Sequence, residues 1–567
     1  MPRSFRALLL AGTLAAITAP ASSTELPADT TAFIQEAIDN GDLTGVVVVL
    51  VEGDAVVTRG FGLASTETGK APDADSVFQI GSITKTFTGA LLADAVLSGK
   101  MTLSDPVQAY LPAGVTIAQV GERPMTIEDL ATHRSGLPRL EPDFAPADPA
   151  DPYADIDEAK LWRTVSNVQP ARAPGAAFEY SNLGYGLLGA LIARAQGKSY
   201  ADLVAEKIFT PLGMAHSSAR LPDALRAQAA QGYGSDGAPV PFWTFDAVPG
   251  LGAINSTAKD MTAYLRASMA AAAGRAEETP LGHALTLALT PRADVAAPGG
   301  PRIGFAWVSP PDGRLAMHDG GTYGFSSQIA FRTDGSRGVL VLANRLQTEM
   351  VSGIGNHLLD PAAPLPRIVK TVTLPPDTLA HYAGTYSMGP ALTATVSREG
   401  EAGLSIQIAG QPAAPVFASA PDRFFYRGLP VTVDFDRDGQ GQVVRLVFHQ
   451  MGQRYRVPRL DAQGKPLPQP ARLTPDAATL DGYVGAYRIG PGAQLMVTRD
   501  GDLLMAQLPG QPAAAALFSE QPDHFEFEIN DVDLLFERDA AGKVVSVTAR
   551  SGGHESRAAR VEPSGAD

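Results

Sequence analysis

The stretch FQIGSITKTF, residues 78–87, places a serine and a lysine three residues apart at the start of an apolar segment. Residues 87–97 are mostly apolar and lack proline, so they predict a buried helix. Ser82 and Lys85 then lie about one turn apart on the same face. A serine hydroxyl needs a base within hydrogen-bond reach, which a buried lysine can supply. The spacing predicts Ser82 as a nucleophile, although alone it also fits an N-cap serine beside a solvated lysine.

A second polar motif, YSN at residues 180–182, stands before another apolar helix that the sequence predicts over 183–195. A tyrosine beside an ammonium group has its pKa lowered. Tyr180 can then accept the Ser82 proton and return it to a leaving group. The amide of Asn182 can hold a substrate carbonyl.

The third motif is HDGGT at residues 318–322, on a strand predicted to run to Phe331. Side chains alternate along a strand, so His318 and Gly320 face the same way. The glycines allow the backbone of a substrate to approach closely. The N–H groups of Gly321 and Ser82 together predict an oxyanion hole.

In this order and spacing, the three motifs resemble the serine β-lactamase and penicillin-binding-protein superfamily, and within it the class C β-lactamase-like branch. The similarity covers about residues 30–360 and includes LATHRSGLP at 130–138. It implies an α+β catalytic domain, with an antiparallel sheet flanked by helices and a helical subdomain. It also implies acylation of Ser82, a base role shared by Lys85 and Tyr180, and contact between Asn182 and the substrate amide. The histidine of the 130–138 segment, His133, is expected to be a hydrogen-bonded fold element.

His318 departs from the superfamily pattern, in which a lysine usually attracts the carboxylate of a penicillin or of a terminal D-alanine. An imidazole with an ordinary pKa near 6.5 is mostly neutral at pH 7 and binds a carboxylate less well. This residue shifts the expectation toward D-aminopeptidase or esterase chemistry. Arg345 is a candidate replacement cation, which would restore carboxylate binding.

An internal repeat follows the catalytic region at an offset of 100 or 101 residues. The segments YAGTY at 382–386 and YVGAY at 483–487 match, as do three further blocks in the same order. We predict a signal peptide at 1–21, a hydrolase domain at 22–360, a linker at 361–376, a β-barrel repeat at 377–460, a linker at 461–472 and a second repeat at 473–563. This architecture resembles bacterial D-aminopeptidase, in which two lipocalin-like antiparallel barrels follow the catalytic domain.

Composition narrows the partners of the chain. The 567 residues have a formal net charge of −15, which argues against nucleic acid and anionic membrane surfaces. No cysteine is present, which excludes thiol catalysis and thiolate metal sites, and the nine histidines show no metal-ligand spacing. We therefore expect a small-molecule substrate, no cofactor and no metal. Arg3, Arg6, an apolar run and an Ala-Pro-Ala site at 19–21 predict export to the periplasm or medium.

Four functions remain open at this stage. A D-aminopeptidase acting on short peptides or amides is favoured, followed by a carboxylesterase of the same fold and a β-lactamase or DD-carboxypeptidase. A non-enzymatic binding module is disfavoured, because it has no need of the complete set of motif residues. The acidic segment at 141–158 either rims the site or is a solvated loop. The repeats are expected to narrow the entrance of the site or to mediate a homodimer, and binding of an apolar ligand inside a barrel is a disfavoured alternative.

Overall fold

A computed structural model describes residues 25–141, 144–296, 298–389, 392–399, 403–411, 413–429, 431–450, 452–490, 493–508, 513–528, 530–551 and 554–561. The predicted signal peptide at 1–21 lies outside these residues. Among the described helices, none is both long and apolar enough to cross a membrane.

An eight-stranded antiparallel sheet forms the centre of the N-terminal region, with strand order β2-β1-β12-β11-β10-β9-β8-β7. Two further pairs, β3 with β6 and β4 with β5, lie outside it. The twelve strands are β1 Gly45–Glu52, β2 Ala55–Gly62, β3 Val77–Gln79, β4 Gly232–Tyr233, β5 Pro239–Val240, β6 Asn255–Thr257, β7 Ala293–Asp294, β8 Arg302–Ile303, β9 Val308–Ser309, β10 Leu315–Gly321, β11 Ser326–Arg332 and β12 Arg337–Ala343.

Some helices of this region pack on the two faces of the sheet, and others pack on those helices. The helices are α1 Ala28–Asp39, α2 Thr84–Leu97, α3 Ile127–Ala131, α4 Glu158–Asn167, α5 Asn182–Gln196, α6 Tyr200–Val204, α7 Thr210–Leu212, α8 Ala258–Ala272, α9 Pro280–Leu289 and α10 Thr348–Leu359. β1 is apolar at nearly every position because both of its faces are buried: Val47 and Val49 join the core with α2 and α8, whereas Val46 and Val48 join the core with α1 and α10. The predicted α+β class is confirmed.

One predicted strand is two. The sequence predicted a strand through the HDGGT motif to Phe331, but β10 ends at Gly321 and the chain turns back into β11 at Ser326. The turn is closed by the N–H of Thr322, which donates to the carbonyl of Phe325 at 2.9 Å. His318 consequently lies on a strand that ends three residues later, at the edge where the site is built.

Two antiparallel barrels of eight strands follow. The first begins with α11 Pro376–Ala380 and contains β13 Gly384–Gly389, β14 Leu392–Glu399, β15 Gly403–Ile408, β16 Ala414–Ala420, β17 Arg423–Phe425, β18 Val431–Arg437, β19 Val443–Gln450 and β20 Gln453–Pro458. The second begins with α12 Ala477–Asp481 and contains β21 Gly485–Gly490, β22 Ala493–Asp500, β23 Leu503–Gln507, β24 Ala515–Gln521, β25 His524–Phe527, β26 Asp533–Arg538, β27 Val544–Ser551 and β28 His554–Arg560.

Equivalent residues make equivalent contacts in the two barrels. The hydroxyl of Tyr386 donates to the carbonyl of Tyr382 at 2.7 Å, and that of Tyr487 donates to the carbonyl of Tyr483 at the same distance. The aromatic residues that the repeat matched are therefore barrel core, since all four are buried. Buried ring area of this kind dominates core energetics.

Charged contacts join the barrels to one another. Arg445 of β19 pairs with Glu520 of β24 at 3.0 Å. His449 of β19 lies between Asp434 of its own barrel and Asp531 of the other, at 3.4 and 2.8 Å. Burial opposes a charge on His449, but hydrogen bonds to the two carboxylates outweigh it and raise its pKa to about 9. A charged imidazole therefore bridges the barrels at neutral pH.

The first barrel also contacts the catalytic domain. Arg427, in the turn between β17 and β18, pairs with the buried Asp42 at 3.4 Å and donates to the carbonyl of Asn40 at 2.6 Å. In the same turn, a Cβ added to Gly428 would lie 2.5 Å from the carbonyl oxygen of Leu346. This close approach leaves no room for a side chain at that position.

Candidate active site

Ser82 lies in a single 3₁₀ turn, Gly81–Ile83, that leads directly into α2. Gly81 has φ 51°, and a Cβ at this position would lie 2.7 Å from the backbone nitrogen of Gly321. The turn can thus contact the end of β10 only because residue 81 is glycine. The Ser82 side chain is partly exposed, whereas Lys85 below it is fully buried.

The Lys85 ammonium nitrogen lies 2.9 Å from the Ser82 hydroxyl and 2.6 Å from the carbonyl oxygen of Leu251. Burial, together with the nearby charge of Arg139, holds the pKa of Lys85 well below its usual range. A neutral lysine amine has two donors and one lone pair. It can donate to the Leu251 carbonyl and use the lone pair to accept the Ser82 proton.

Tyr180 precedes α5 and completes the proton-handling group. Its ring centroid lies 5.0 Å from the Lys85 nitrogen. Burial raises the pKa of Tyr180 to about 12, in spite of the opposing influences of Ser82 and Arg139. We expected a neighbouring ammonium to lower this pKa, but that expectation was wrong because burial of the Tyr180 hydroxyl is the largest influence and raises its pKa. The pKa values of the two groups are therefore displaced in opposite directions.

His133 packs against the tyrosine. The two rings stack at 4.4 Å with 30° between their planes, and the His133 Nδ1 accepts a hydrogen bond from the N–H of Ser181 at 3.0 Å. Burial holds the His133 pKa well below its usual range, so the imidazole is neutral. These contacts match the fold role expected for this residue: it fixes both the ring of Tyr180 and the residue that caps α5.

Asn182 is the first residue of α5, and Ser181 is the N-cap. The Asn182 amide donates to the hydroxyl of Tyr153 at 3.1 Å, while its Oδ1 is buried without a partner among the described residues. Tyr153 comes from the acidic segment at 141–158 and stacks on Phe245 at 5.2 Å. Sequence reasoning missed Tyr153, because it is a single aromatic residue in an irregular, charged loop.

His318 is nearly buried, and its Nδ1 lies 2.7 Å from the carbonyl oxygen of Asp319. A carbonyl can only accept, so Nδ1 carries the proton and Nε2 presents a lone pair. Burial is the main cause that lowers the pKa of His318 to about 3, which makes the ring neutral. The Nε2 of the imidazole at this position is thus a hydrogen-bond acceptor, whereas a lysine ammonium at the same position would be a donor.

Close packing against the segment before Ser82 explains why glycines follow His318. A Cβ on Gly320 would lie 2.1 Å from the carbonyl oxygen of Ile80, two residues before the nucleophile. The sequence argument attributed these glycines to a substrate, but at residue 320 the close approach is to the protein itself. Gly321 is in contact with Gly81, so the backbone of Gly321 lies next to the backbone of the turn that contains Ser82.

Arg345, the candidate replacement cation, points elsewhere. Its guanidinium donates to the carbonyl of Ser235 at 2.7 Å. Burial and the neighbouring Arg427 lower its pKa to about 10. These contacts belong to the junction with the first barrel. None of its described contacts is with Ser82 or His318.

Comparison with known proteins agrees with this geometry. The Beta-lactamase family model matches residues 30–363, which is more than half of the chain. The chain belongs to the beta-lactamase family. A second model, Domain of unknown function (DUF3471), matches residues 369–464, the region of the first barrel.

Two relatives illustrate the similarity. The chain is 29% identical to the D-alanyl-D-alanine-carboxypeptidase/endopeptidase AmpH of Escherichia coli (strain K12), over 60% of this chain and 90% of the relative. It is 27% identical to Penicillin-binding protein 4* of Bacillus subtilis (strain 168), over 69% of this chain and 89% of the relative. A class C beta-lactamase solved in complex with cefoxitin shares the fold, with TM-score 0.51 and 24% identity over 59% of this chain and 97% of that one.

The superfamily predicted from the three motifs is therefore confirmed. The chain is a serine hydrolase of the β-lactamase and DD-peptidase superfamily, followed by two β-barrel domains. The contacts of the site come from widely separated segments, since the three motifs lie at the start of α2, at the start of α5 and at the end of β10.

Proposed function

We propose that this hydrolase cleaves amide bonds of short peptides or amides that contain D-amino acids, through an acyl-enzyme on Ser82. The observation that carries the proposal is the position of the Lys85 amine, 2.9 Å from the Ser82 hydroxyl and buried. Pairs of titratable groups whose pKa values are driven apart mark acid and base roles. Lys85, with its lowered pKa, is the base, and Tyr180, with its raised pKa, is the acid.

The reaction follows from these roles. Lys85 accepts the hydroxyl proton as the Ser82 oxygen attacks the substrate carbonyl. The backbone N–H groups of Ser82 and Gly321 stabilise the resulting oxyanion. Tyr180 donates its proton to the leaving amine, the C–N bond breaks, and an ester to Ser82 remains. Water then hydrolyses the ester by the reverse proton path, while Asn182 holds the amide of the acyl group.

The finer specificity proposed is that of a D-aminopeptidase. It is supported by the Nε2 lone pair of His318, which accepts a hydrogen bond from an ammonium or amide N–H and repels a carboxylate. DD-carboxypeptidase activity is the second candidate, because AmpH, a relative, is named for that reaction. An esterase of the same mechanism is the third.

Four chromogenic substrates separate these activities: D-Ala p-nitroanilide, L-Ala p-nitroanilide, a p-nitrophenyl ester and a chromogenic cephalosporin. We expect the D-anilide to turn over much faster than the L-anilide, and the Ser82→Ala variant to be inert. Release of D-alanine from a peptide ending in D-Ala-D-Ala, without cleavage of the D-anilide, would favour the carboxypeptidase instead. Turnover of the ester alone would favour the esterase.

A further inference from the structure

Arg139 lies beside the catalytic tyrosine and none of the motifs includes it. Its carbonyl accepts hydrogen bonds from the N–H groups of Asn182 and Leu183, at 2.9 and 3.3 Å, which anchors its backbone to the start of α5. Its exposed guanidinium carbon lies 5.2 Å from the ring centroid of Tyr180. No carboxylate pairs with it among the described residues, although many other arginines of the chain have such a partner.

The cationic side chains around Ser82 differ in how permanent their charge is. The Lys85 amine is driven toward neutrality, and the His318 and His133 rings are neutral. Arginine keeps its charge at all relevant pH values. Arg139 is therefore the permanent positive charge that the described structure places against this site.

We propose that the fixed charge of Arg139 sets the proton arrangement of the site, favouring unprotonated Lys85 as the base and Tyr180 as a readier proton donor. The inference rests on the proposed function, in which these two groups move the protons. A guanidinium repels a nearby ammonium and attracts a nearby phenolate. Both effects act in the same direction, because each favours loss of a proton.

Two of the other groups around the pair act against Arg139 at Tyr180, because the charges of Tyr153 and Asp319 raise the Tyr180 pKa whereas that of Arg139 lowers it. Lys85 and Tyr180 are faced by titratable or charged residues from several elements, and these are His133, Tyr153, Tyr185, His318 and Asp319. The histidines are neutral, burial raises the pKa of both other tyrosines, and burial raises the pKa of the Asp319 carboxyl. The charge of Arg139 lowers the pKa of both Lys85 and Tyr180, and Arg139→Gln removes that shared effect.

The test measures kcat/KM against pH for the full-length protein and its Arg139→Gln variant. The substrate is a neutral p-nitrophenyl ester, which has no carboxylate and whose leaving group needs no proton. The acidic limb of the pH–rate profile then reports the pKa of the base alone. Lys85 and Arg139 lie 5.0 and 5.2 Å from the centroid of the Tyr180 ring, so their charged groups are at most about 10 Å apart. Two charges at that separation in water interact by an amount equal to about 0.3 of a pH unit, and closer charges interact more strongly. We expect the acidic limb to move upward by about 0.3 of a pH unit or more, with kcat/KM lower by about twofold or more below the limb.

Controls separate charge from structure. Arg194 lies 5.9 Å from the ring of Trp162 on the surface of the same domain, and Arg194→Gln should leave the limb unmoved. Arg139→Lys, which keeps the charge, should restore most of the wild-type profile. If Arg139→Gln does not fold, 0.5 M KCl should move the limb of the wild type upward instead, because salt screens an exposed charge.

The proposal is overturned if the limb stays in place in Arg139→Gln, or if activity falls equally at every pH and lysine does not restore it. Failure of the proposed function would look different. In that case the wild type would not hydrolyse the substrate, or Ser82→Ala would remain active, whatever the effect of Arg139.

Discussion

Gly320→Ala is the substitution whose effect follows most directly from the packing of the site. The added Cβ would lie 2.1 Å from the Ile80 carbonyl oxygen and 2.3 Å from the hydroxyl of Ser327. Folded proteins essentially never show Cβ contacts under 3.0 Å, so the backbone at residue 80 must move by about 1 Å. Ile80 leads directly into the turn that holds Ser82, and the movement therefore displaces the nucleophile from Lys85.

A misplacement of about 1 Å at a reacting group costs about 100-fold in rate. Overpacking of a buried position costs about 1–3 kcal/mol in the free energy of unfolding. We therefore expect Gly320→Ala to remain folded, with a lower Tm, and to lose about 100-fold in kcat on the substrate that the wild type prefers.

The matched control is Gly439→Ala, in a turn of the first barrel, where nothing lies within 4 Å of the added Cβ. It should change neither kcat nor Tm measurably. If Gly320→Ala retained wild-type kcat and Tm, the close contact between β10 and the nucleophile turn would be wrong.

Four further predictions concern single side chains. Lys85→Arg should lower kcat/KM by about 100-fold or more at every pH, because arginine cannot accept a proton. Wild-type activity should rise with pH as Lys85 loses its proton, and it should level off well below the ordinary lysine pKa. A pH–rate profile of each protein checks both expectations. His318→Lys should raise the rate of acylation by benzylpenicillin and lower D-anilide turnover, and stopped-flow acylation measures the change. Tyr153→Phe removes the hydrogen bond to Asn182 and should raise KM about 2- to 10-fold with a smaller effect on kcat, in steady-state kinetics. His449→Gln should destabilise the paired barrels by roughly 2–3 kcal/mol at pH 6, where the raised pKa of about 9 keeps the wild-type imidazole charged. Near pH 10, above that pKa, the substitution should have almost no effect on stability. Thermal unfolding of both proteins at the two pH values tests this pH dependence.

Local spacing explains why much of the site could be predicted. Ser82 and Lys85 are three residues apart at a helix start, so backbone geometry alone brings them into contact. The barrel repeat was equally readable, because buried tyrosines and the turns around them recur at a fixed offset. Sequence also identified His318 as unusual, since its chemistry differs from that of lysine wherever it lies.

The remaining features depend on contacts between distant segments, which spacing does not encode. Tyr153 reaches Asn182 from an irregular loop, and the carbonyl of Leu251 meets Lys85 from 166 residues away. The opposite displacement of the Lys85 and Tyr180 pKa values results from burial, which only the assembled fold determines. The turn after Gly321 was missed because its residues, Thr322 to Phe325, include a threonine and two aromatic residues that favour strands.

Intact-protein mass spectrometry tests the central claim most directly. The full-length protein would be mixed with a slowly turned-over ester or D-aminoacyl substrate, quenched in acid within milliseconds to seconds, and digested to locate any adduct. We expect a mass increase equal to the acyl group, on the peptide containing Ser82, and no increase in Ser82→Ala. Substrate turnover without any adduct, together with full activity of Ser82→Ala, would contradict the acyl-enzyme mechanism.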